Sequence, residues 1–287
     1  FDYKKIERKN NMKQEYGKLY IVATPIGNLE DITLRAINTL KSVDLIIAED
    51  TRHSLKLLNH LEISKPLVSY HRHNEDVKYE KILEKIKEGQ NVALISDAGT
   101  PIISDPGEVI VKEAIKENIE VIPVPGACAA ITALMAGGVD TKKFIFYGFL
   151  SLNKKLRKKE LEEIKNENRT MILYEAPHKL KNTLEDFKKY IPERNIVVAR
   201  ELTKIHEEFI RGTVEEILDK IQEPKGEYII IINANDNQLE EENTLNSLTL
   251  EEHYKFYELQ GFDKKEIIKK IAKDRNVSKN EIYMKFI

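Results

Sequence analysis

Residues 94–107 read LISDAGTPIISDPG. A short apolar run at 91–95 precedes them and an amphipathic stretch at 108–117 follows, so the segment joins a strand to a helix. Two glycines, two prolines, two aspartates, two serines and a threonine crowd into it. Gly and Pro punctuate the backbone, and Gly lets the chain come close to a ligand. Asp, Ser and Thr cap helices and present short, stiff hydrogen-bonding groups. Open α/β sheets bind ligands at loops of this kind, and the density of special residues exceeds what a plain turn requires.

Outward from this loop, the first half alternates strand and helix. Apolar strand-type runs at 18–23 (KLYIVA), 43–48 (VDLIIA), 66–69, 91–95, 120–123 and 143–147 are separated by helical spacing at 32–40, 54–61, 77–88 and 108–117. Asp31 sits where a helix N-cap would, and Gly89 closes the helix before the central strand. Near-continuous apolar strands indicate a mostly parallel sheet covered on both faces. Four loops then follow strands, TPIGN, EDTRH, SDAGTP and PVPGA, and in such a sheet all four open onto one edge.

The charged segment 151–167 reads as a linker plus an exposed helix, with Lys154, Lys155, Arg157, Lys158 and Lys159 as the most basic short run. A solvated helix face and RNA contact explain it equally well. The second half has strands at 169–174, 196–199 and 227–233, helices at 179–189 and 213–221, and an extended segment at 206–211, giving a mixed α/β domain. Pro177 suits the start of its helix. After an acidic, polar stretch at 236–243, the remainder is helical, with a spacing like that of a helix-turn-helix.

Composition narrows the function. The 287 residues suggest two domains, and 41% hydrophobic with 33% charged residues describe a globular chain. A net charge of −2 carries no global nucleic-acid signature, although a local basic patch would suffice. The single cysteine, Cys128, excludes an intramolecular disulfide framework, fits a reducing cytoplasm and reads as a packed, inert thiol. No apolar run approaches the ~20 residues of a membrane span. The first eleven residues are polar and do not resemble a signal peptide; Met12 reads as a start. Neither GxGxxG nor GxxxxGK[ST] occurs, so no dinucleotide fingerprint or P-loop is present. His71 and His73 stand two apart, with His53 elsewhere; a polar loop facing substrate explains them better than a metal site, and no metal is expected. What remains is a cleft rich in backbone amides and small residues, with carboxylates and an arginine at its rim, suited to positioning a bulky cofactor.

The segments ATPIGNLEDITLRA (23–36), AEDTRH (48–53), LISDAGTPIISDPG (94–107), PVPGACAAITAL (123–134), YEAPHKL (174–180) and ARELTKIHEEFIRG (199–212) resemble the signature segments of the tetrapyrrole methylase superfamily. More narrowly, they are similar to its ribosomal RNA branch, the small-subunit rRNA (cytidine-2′-O)-methyltransferases. The likeness runs in order from residue 17 to residue 233. It implies two α/β domains of the tetrapyrrole methylase type with the cofactor cleft between them, plus a small helical tail. The expected organisation is a flexible extension at 1–16, an N-terminal α/β domain at 17–150, a second α/β domain at 151–235, and a linker with helical tail at 236–287.

The resemblance implies S-adenosylmethionine as cofactor. Its implied binding residues are Pro25, Ala98, Gly99, Thr100, Pro101, Ile103, Cys128, Ala129, Glu175, Ala176, Leu202, Gly226 and Glu227. The implied partner is small-subunit ribosomal RNA within the assembled 30S subunit, met in the cytoplasm by a homodimer with no membrane contact. Polar groups on cleft-facing loops are Asp50, Arg52, His71, His73, Asn74, Glu175, His178, Arg200 and Glu201. A 2′-hydroxyl attacking a sulfonium methyl needs in-line placement and a proton acceptor. Asp50, Glu175 or Glu201 is expected to orient or deprotonate it, Arg52 to hold a phosphate, and His178 to join this catalytic set. About half of these groups are expected to form ion pairs between loops instead. Lys179 stands where the family more often has Arg, which removes bidentate phosphate geometry there. The competing expectation is a methyltransferase acting on a tetrapyrrole or other small molecule.

Overall fold

The computed structural model describes residues 16–235 except 73 and 222, residue 245, and residues 247–286 except 276. The N-terminal extension expected up to residue 16, the residue His73 and the linker expected at 236–243 therefore lie wholly or almost wholly outside the described residues.

The first sheet contains β1 (Leu19–Val22), β2 (Leu45–Ala48), β3 (Leu67–Ser69), β4 (Val92–Ile95) and β5 (Val121–Val124), in the order β3-β2-β4-β1-β5. Every pairing in it is parallel. β2 and β4 are buried at all positions, as strands covered on both faces must be. Helices α1 (Leu34–Ser42), α2 (Thr51–His60), α3 (Glu75–Lys87) and α4 (Glu108–Lys116) supply the covers. Ile82, Leu83, Ile86, Ile110 and Ala114 pack on one face, and Ala36, Leu40 and Leu58 on the other. Asp31 does not cap α1: it closes a short 3-10 turn, and the Thr33 side chain accepts the Ala36 N–H instead. Thr33 directly precedes the first helical residue, so its hydroxyl has the shorter reach.

The second sheet contains β6 (Phe144–Gly148), β7 (Thr170–Glu175), β8 (Asn195–Arg200), β9 (Glu208–Thr213) and β10 (Tyr228–Ile232), in the order β6-β7-β10-β8-β9. Only β6–β7 is parallel; the other pairings are antiparallel. The strand at 143–147, read from sequence as the last of the first half, thus opens the second sheet. Helix α5 (Ala129–Gly137) goes with it: Ala130, Ala133 and Leu134 bury against Ile172, Val197 and Ile231. The change of sheet falls between β5 and α5, ahead of the boundary expected at 150. An apolar strand does not reveal its partner, which is why local pattern misplaced this one. The far face is covered by α6 (Lys154–Asn166), α7 (Pro177–Tyr190) and α8 (Val214–Lys220).

The tail folds on its own small core. Helices α9 (Leu250–Leu259), α10 (Lys264–Asp274) and α11 (Lys279–Tyr283) bury Tyr257, Ile267, Ile268, Ile271 and Ile282 together. His253 is fully buried at its centre, with Asp274 at 3.1 Å from Nε2 and the Arg275 Nε donating to Nδ1.

The docking of α5 yields a test. Ala133 has no exposed surface, so Ala133→Leu overpacks the α5 face by roughly 1–3 kcal/mol. Hydrogen exchange should then show lost protection in β7, β8 and β10 while β1, β2 and β4 keep theirs. Equal loss in both sheets would place α5 in a core they share.

Candidate active site

The parallel sheet brings the ends of β1, β2, β4 and β5 to one edge, and the loop after β4 is stitched to two of its neighbours. The Thr24 N–H donates to the Gly99 carbonyl (2.8 Å), and the Gly99 N–H donates back to the Thr24 carbonyl (3.1 Å). The Thr100 hydroxyl donates to the Ala127 carbonyl at 3.0 Å, tying the loop to the segment before α5. Gly99 is required here: its φ is +78°, and a Cβ would lie 2.9 Å from Cγ2 of Ile26. Ile102 and Ser104 also adopt positive φ (76° and 71°), uncommon for any residue but glycine and most of all for the β-branched Ile102. The Arg72 guanidinium donates to the Ser104 carbonyl and braces the loop from the β3 side.

Between this edge and the second sheet lies a cavity of about 370 Å³. One wall is Ile26, Ala98, Gly99, Thr100, Ile103 and Asp105; the other includes Tyr174, Glu175, Ala176, Ala199, Leu202 and Glu227. Cys128 and Ala129, at the start of α5, join them. The volume lies in the range of small-molecule and cofactor sites. Three carboxylates line it, from Asp105, Glu175 and Glu227, and no Lys, Arg or His does so among the described residues.

Most of the residues expected to hold a cofactor are thus brought together. Three are not at the surface of the cavity. Pro25 and Pro101 are buried behind it. Pro25 offers its carbonyl to the Gly99 N–H (3.3 Å), and its neighbour Ile26 makes the wall. Gly226 is exposed at φ +93°; a Cβ would lie 2.4 Å from Oε1 of Glu201, so the glycine makes room for that carboxylate while Glu227 faces the cavity.

The expected catalytic carboxylates and their companions sit differently. Asp50 caps α2 by accepting the Arg52 N–H, and the same side chain pairs with the Arg52 guanidinium at 3.2 Å. Arg52 holds the Asp50 carboxyl below its usual range, and neither residue lines the cavity. Glu201 accepts from the Glu227 N–H (2.9 Å) and from Lys204 (3.0 Å). Burial works against its charge, but Lys204 and the Glu227 N–H outweigh burial and hold it low. Glu175 does line the cavity, yet both oxygens are occupied. One accepts the Ala176 N–H at 2.8 Å and the other the Thr183 hydroxyl at 2.5 Å, and Thr183 in turn accepts from Arg157. His178 is exposed on α7 and does not itself line the cavity, although its neighbour Pro177 does. His71 and Asn74 contact each other at 2.9 Å, and Arg200 donates to the Lys225 carbonyl at 3.0 Å.

Sequence reasoning missed Ser104, Asp105, Phe149, Tyr174, Pro177, Ala199, Tyr228 and Ile229 on the cavity wall, along with Ile26. Asp105 is the consequential one. Burial first, then the charge of Glu49, pushes its carboxyl up to about 6, against the Ser96 hydroxyl and Arg72, with Asp97 adding to the rise. Burial and Asp97 likewise raise Glu49. Burial pushes the Tyr174 phenol up to about 12. The second Ser-Asp pair of the loop, 104–105, repeating 96–97, is the signal that could have drawn attention to it.

Two α/β domains meeting at a cavity that favours positive charge define a cofactor-dependent enzyme of the two-domain α/β type. The family model of the Tetrapyrrole (Corrin/Porphyrin) Methylases matches residues 18–218, and the chain belongs to that family. It is 51% identical over 277 residues to "Ribosomal RNA small subunit methyltransferase I" of Bacillus subtilis (strain 168), covering 95% of each chain. It is 49% identical to the protein of that name from Halalkalibacterium halodurans, covering 97% of this chain and 98% of the relative. Solved structures of the same fold include a diphthine synthase (TM-score 0.59, 15% identity, covering 76% of this chain and 90% of that one). Another is a uroporphyrin-III C-methyl transferase from Thermus thermophilus complexed with S-adenyl homocysteine (TM-score 0.56, 16% identity, covering 76% and 97%).

The raised Asp105 carboxyl has a measurable effect on stability. Its folded pKa lies above the ordinary 3.8, so the fold favours the protonated form, and the penalty for ionisation grows as pH rises from about 4 to about 6. Discounted for solvent screening, it amounts to about 1 kcal/mol. Asp105→Asn should therefore raise the melting temperature by roughly 2–4 °C at pH 8, with a smaller gain at pH 4.5. Calorimetry showing the same gain at both pH values would contradict this origin.

Proposed function

We propose that this chain is an S-adenosylmethionine-dependent methyltransferase that modifies small-subunit ribosomal RNA, placing a methyl group on the 2′-oxygen of a cytidine. The observation that carries the cofactor assignment is the charge of the cavity: three lining carboxylates and no lining cation among the described residues. Such a wall suits a ligand bearing a sulfonium and an ammonium group and disfavours a nucleoside phosphate. The small side chains of Ala98, Ala129, Ala176 and Ala199 leave room along the wall for a bulky group, and Phe149 and Tyr174, in edge contact with each other, add aromatic surface. Bound there, the cofactor supplies an electrophilic methyl group.

The RNA assignment is supported by relatives near 50% identity over nearly their whole length that carry the ribosomal name. The 2′-oxygen of cytidine follows from the branch that the sequence segments resemble. Exposed Lys154, Lys155 and Lys158 on α6 are suited to phosphate contact; Arg157 is not, since it pairs with Asp186 at 2.9 Å and donates to Thr183. We assign the cofactor wall to Ala98, Gly99, Thr100, Ile103, Cys128, Ala129, Glu175, Ala176, Leu202 and Glu227, and assembled 30S subunits as the substrate of a homodimeric enzyme. Among the described residues no helix is long and apolar enough to cross a membrane; with a ribosomal substrate, we assign the enzyme to the cytoplasm.

Methyl transfer from labelled cofactor to 30S subunits from a strain lacking the gene tests the reading. A single 2′-O-methylcytidine, identified by mass spectrometry, is expected. Cofactor binding with no incorporation into RNA would shift the assignment to a small-molecule substrate, tetrapyrroles first. Ala176→Leu fills the cavity wall, and calorimetry should show at least a tenfold weaker cofactor affinity, equivalent to about 1.4 kcal/mol.

A further inference from the structure

A hydroxyl that accepts a methyl group must lose its proton, and the chain has to provide somewhere for it to go. The cavity narrows the choice. Of its three carboxylates, Glu175 is 6% exposed and has both oxygens occupied by the Ala176 N–H and the Thr183 hydroxyl. Glu227 is 72% exposed at its side chain and pairs with Lys204 at 3.0 Å. No histidine lines the wall among the described residues. Asp50 and Glu201, the other carboxylates expected from sequence, lie off the cavity and are engaged with Arg52 and Lys204. That leaves Asp105, at the far end of the loop whose near end holds Gly99 and Thr100.

Resting on the methyltransferase reading above, we propose that Asp105 is the proton acceptor for the attacking ribose hydroxyl. The hydroxyl oxygen forms the new bond to the methyl carbon, the carbon–sulfur bond breaks with its electron pair going to sulfur, and the proton passes to Asp105 and then to water. The neighbours suit the role. Glu49 from the end of β2 and Asp97 from the end of β4 face the carboxyl and favour its taking up a proton. Arg72, from the loop after β3, opposes them at a distance while its guanidinium donates to the Ser104 carbonyl. The Ser96 hydroxyl bonds the ionised form, the Asp105 charge is felt by the Tyr174 phenol on β7, and His71 acts electrostatically on Glu49. Asp105 is thereby ionised at neutral pH yet more basic than an ordinary aspartate, the property a general base needs.

The test compares wild type, Asp105→Asn and Asp105→Glu on undermethylated 30S subunits across pH 5–9, with cofactor affinity measured by calorimetry. Wild-type kcat/KM, which reports the unliganded enzyme, is expected to rise with pH through an inflection near 6, at the pKa of Asp105. Asp105→Asn should weaken cofactor binding through the lost charge, but at saturating cofactor it should still lose about 10²- to 10⁴-fold in kcat and lose the inflection, while its KM for the subunits stays within about threefold. Asp105→Glu should recover part of the rate and keep an acidic limb. A variant Asn enzyme with wild-type rate and pH profile would overturn the proposal. So would a loss confined to cofactor affinity, which would make Asp105 a binding contact. A wild-type enzyme that binds the cofactor but leaves RNA unmodified would overturn the methyltransferase reading of the substrate instead, and the two failures are distinguishable.

Discussion

The reciprocal hydrogen bonds between Thr24 and Gly99 hold the rest of the site in place. They pin the loop after β4 to the end of β1, and the Thr100 hydroxyl extends the link to the segment leading into α5. Three strand ends therefore move as one. The backbone beyond is held in states it would not choose, with Ile102 and Ser104 at positive φ, each worth on the order of 1–3 kcal/mol of strain. What offsets this is visible in the core. Ile102 packs against the cluster of Leu94, Ile110 and Ile82 on one face of the parallel sheet. The loop's apolar half is anchored in the interior, and its polar half, from Ser104 to Asp105, is turned to the cavity.

The two sheets divide the labour. The parallel one concentrates loops at a single edge, because every strand ends on the same side. The mixed one faces that edge with a wall of strand residues, Tyr174, Ala199 and Ile229 among them, whose positions the ladder fixes. Helix α5 belongs by packing to the second sheet while its first residues line the cavity next to the first. The Tyr174 hydroxyl accepts the Ala130 N–H at 3.2 Å, so a side chain of the second sheet helps hold the N-terminus of that helix.

Much of this was legible beforehand. β2 and β4 are unbroken apolar runs, and such runs imply a sheet covered on both faces. The special residues of 94–107 marked the cofactor loop. What local sequence does not carry is partnership. β6 looks like any other strand, and only its pairing with β7 assigns it to the second sheet. The same limit applies to charge. Asp50, Glu175 and Glu201 stand at or just beyond strand ends, where a carboxylate serves a cap, a turn or an ion pair as readily as chemistry, and each one does. Asp105 is set apart by burial beside Asp97 of its own loop and Glu49 from the end of β2. No window of sequence around residue 105 contains the approach of Glu49.

A wall with three carboxylates and, among the described residues, no lining cation beyond the Lys204 that pairs with Glu227 from outside also bears on how the enzyme lets go. The sulfur of the incoming cofactor carries a full positive charge; the sulfur of the departing thioether carries none. A unit charge about 6 Å from a carboxylate is worth on the order of 2–3 kcal/mol at an effective dielectric of about 20. The attraction that recruits the cofactor into this cavity is thus cancelled in part by the reaction itself. Turnover discharges the pocket, and the spent molecule is left with shape complementarity alone at the position where its predecessor had been drawn in by charge.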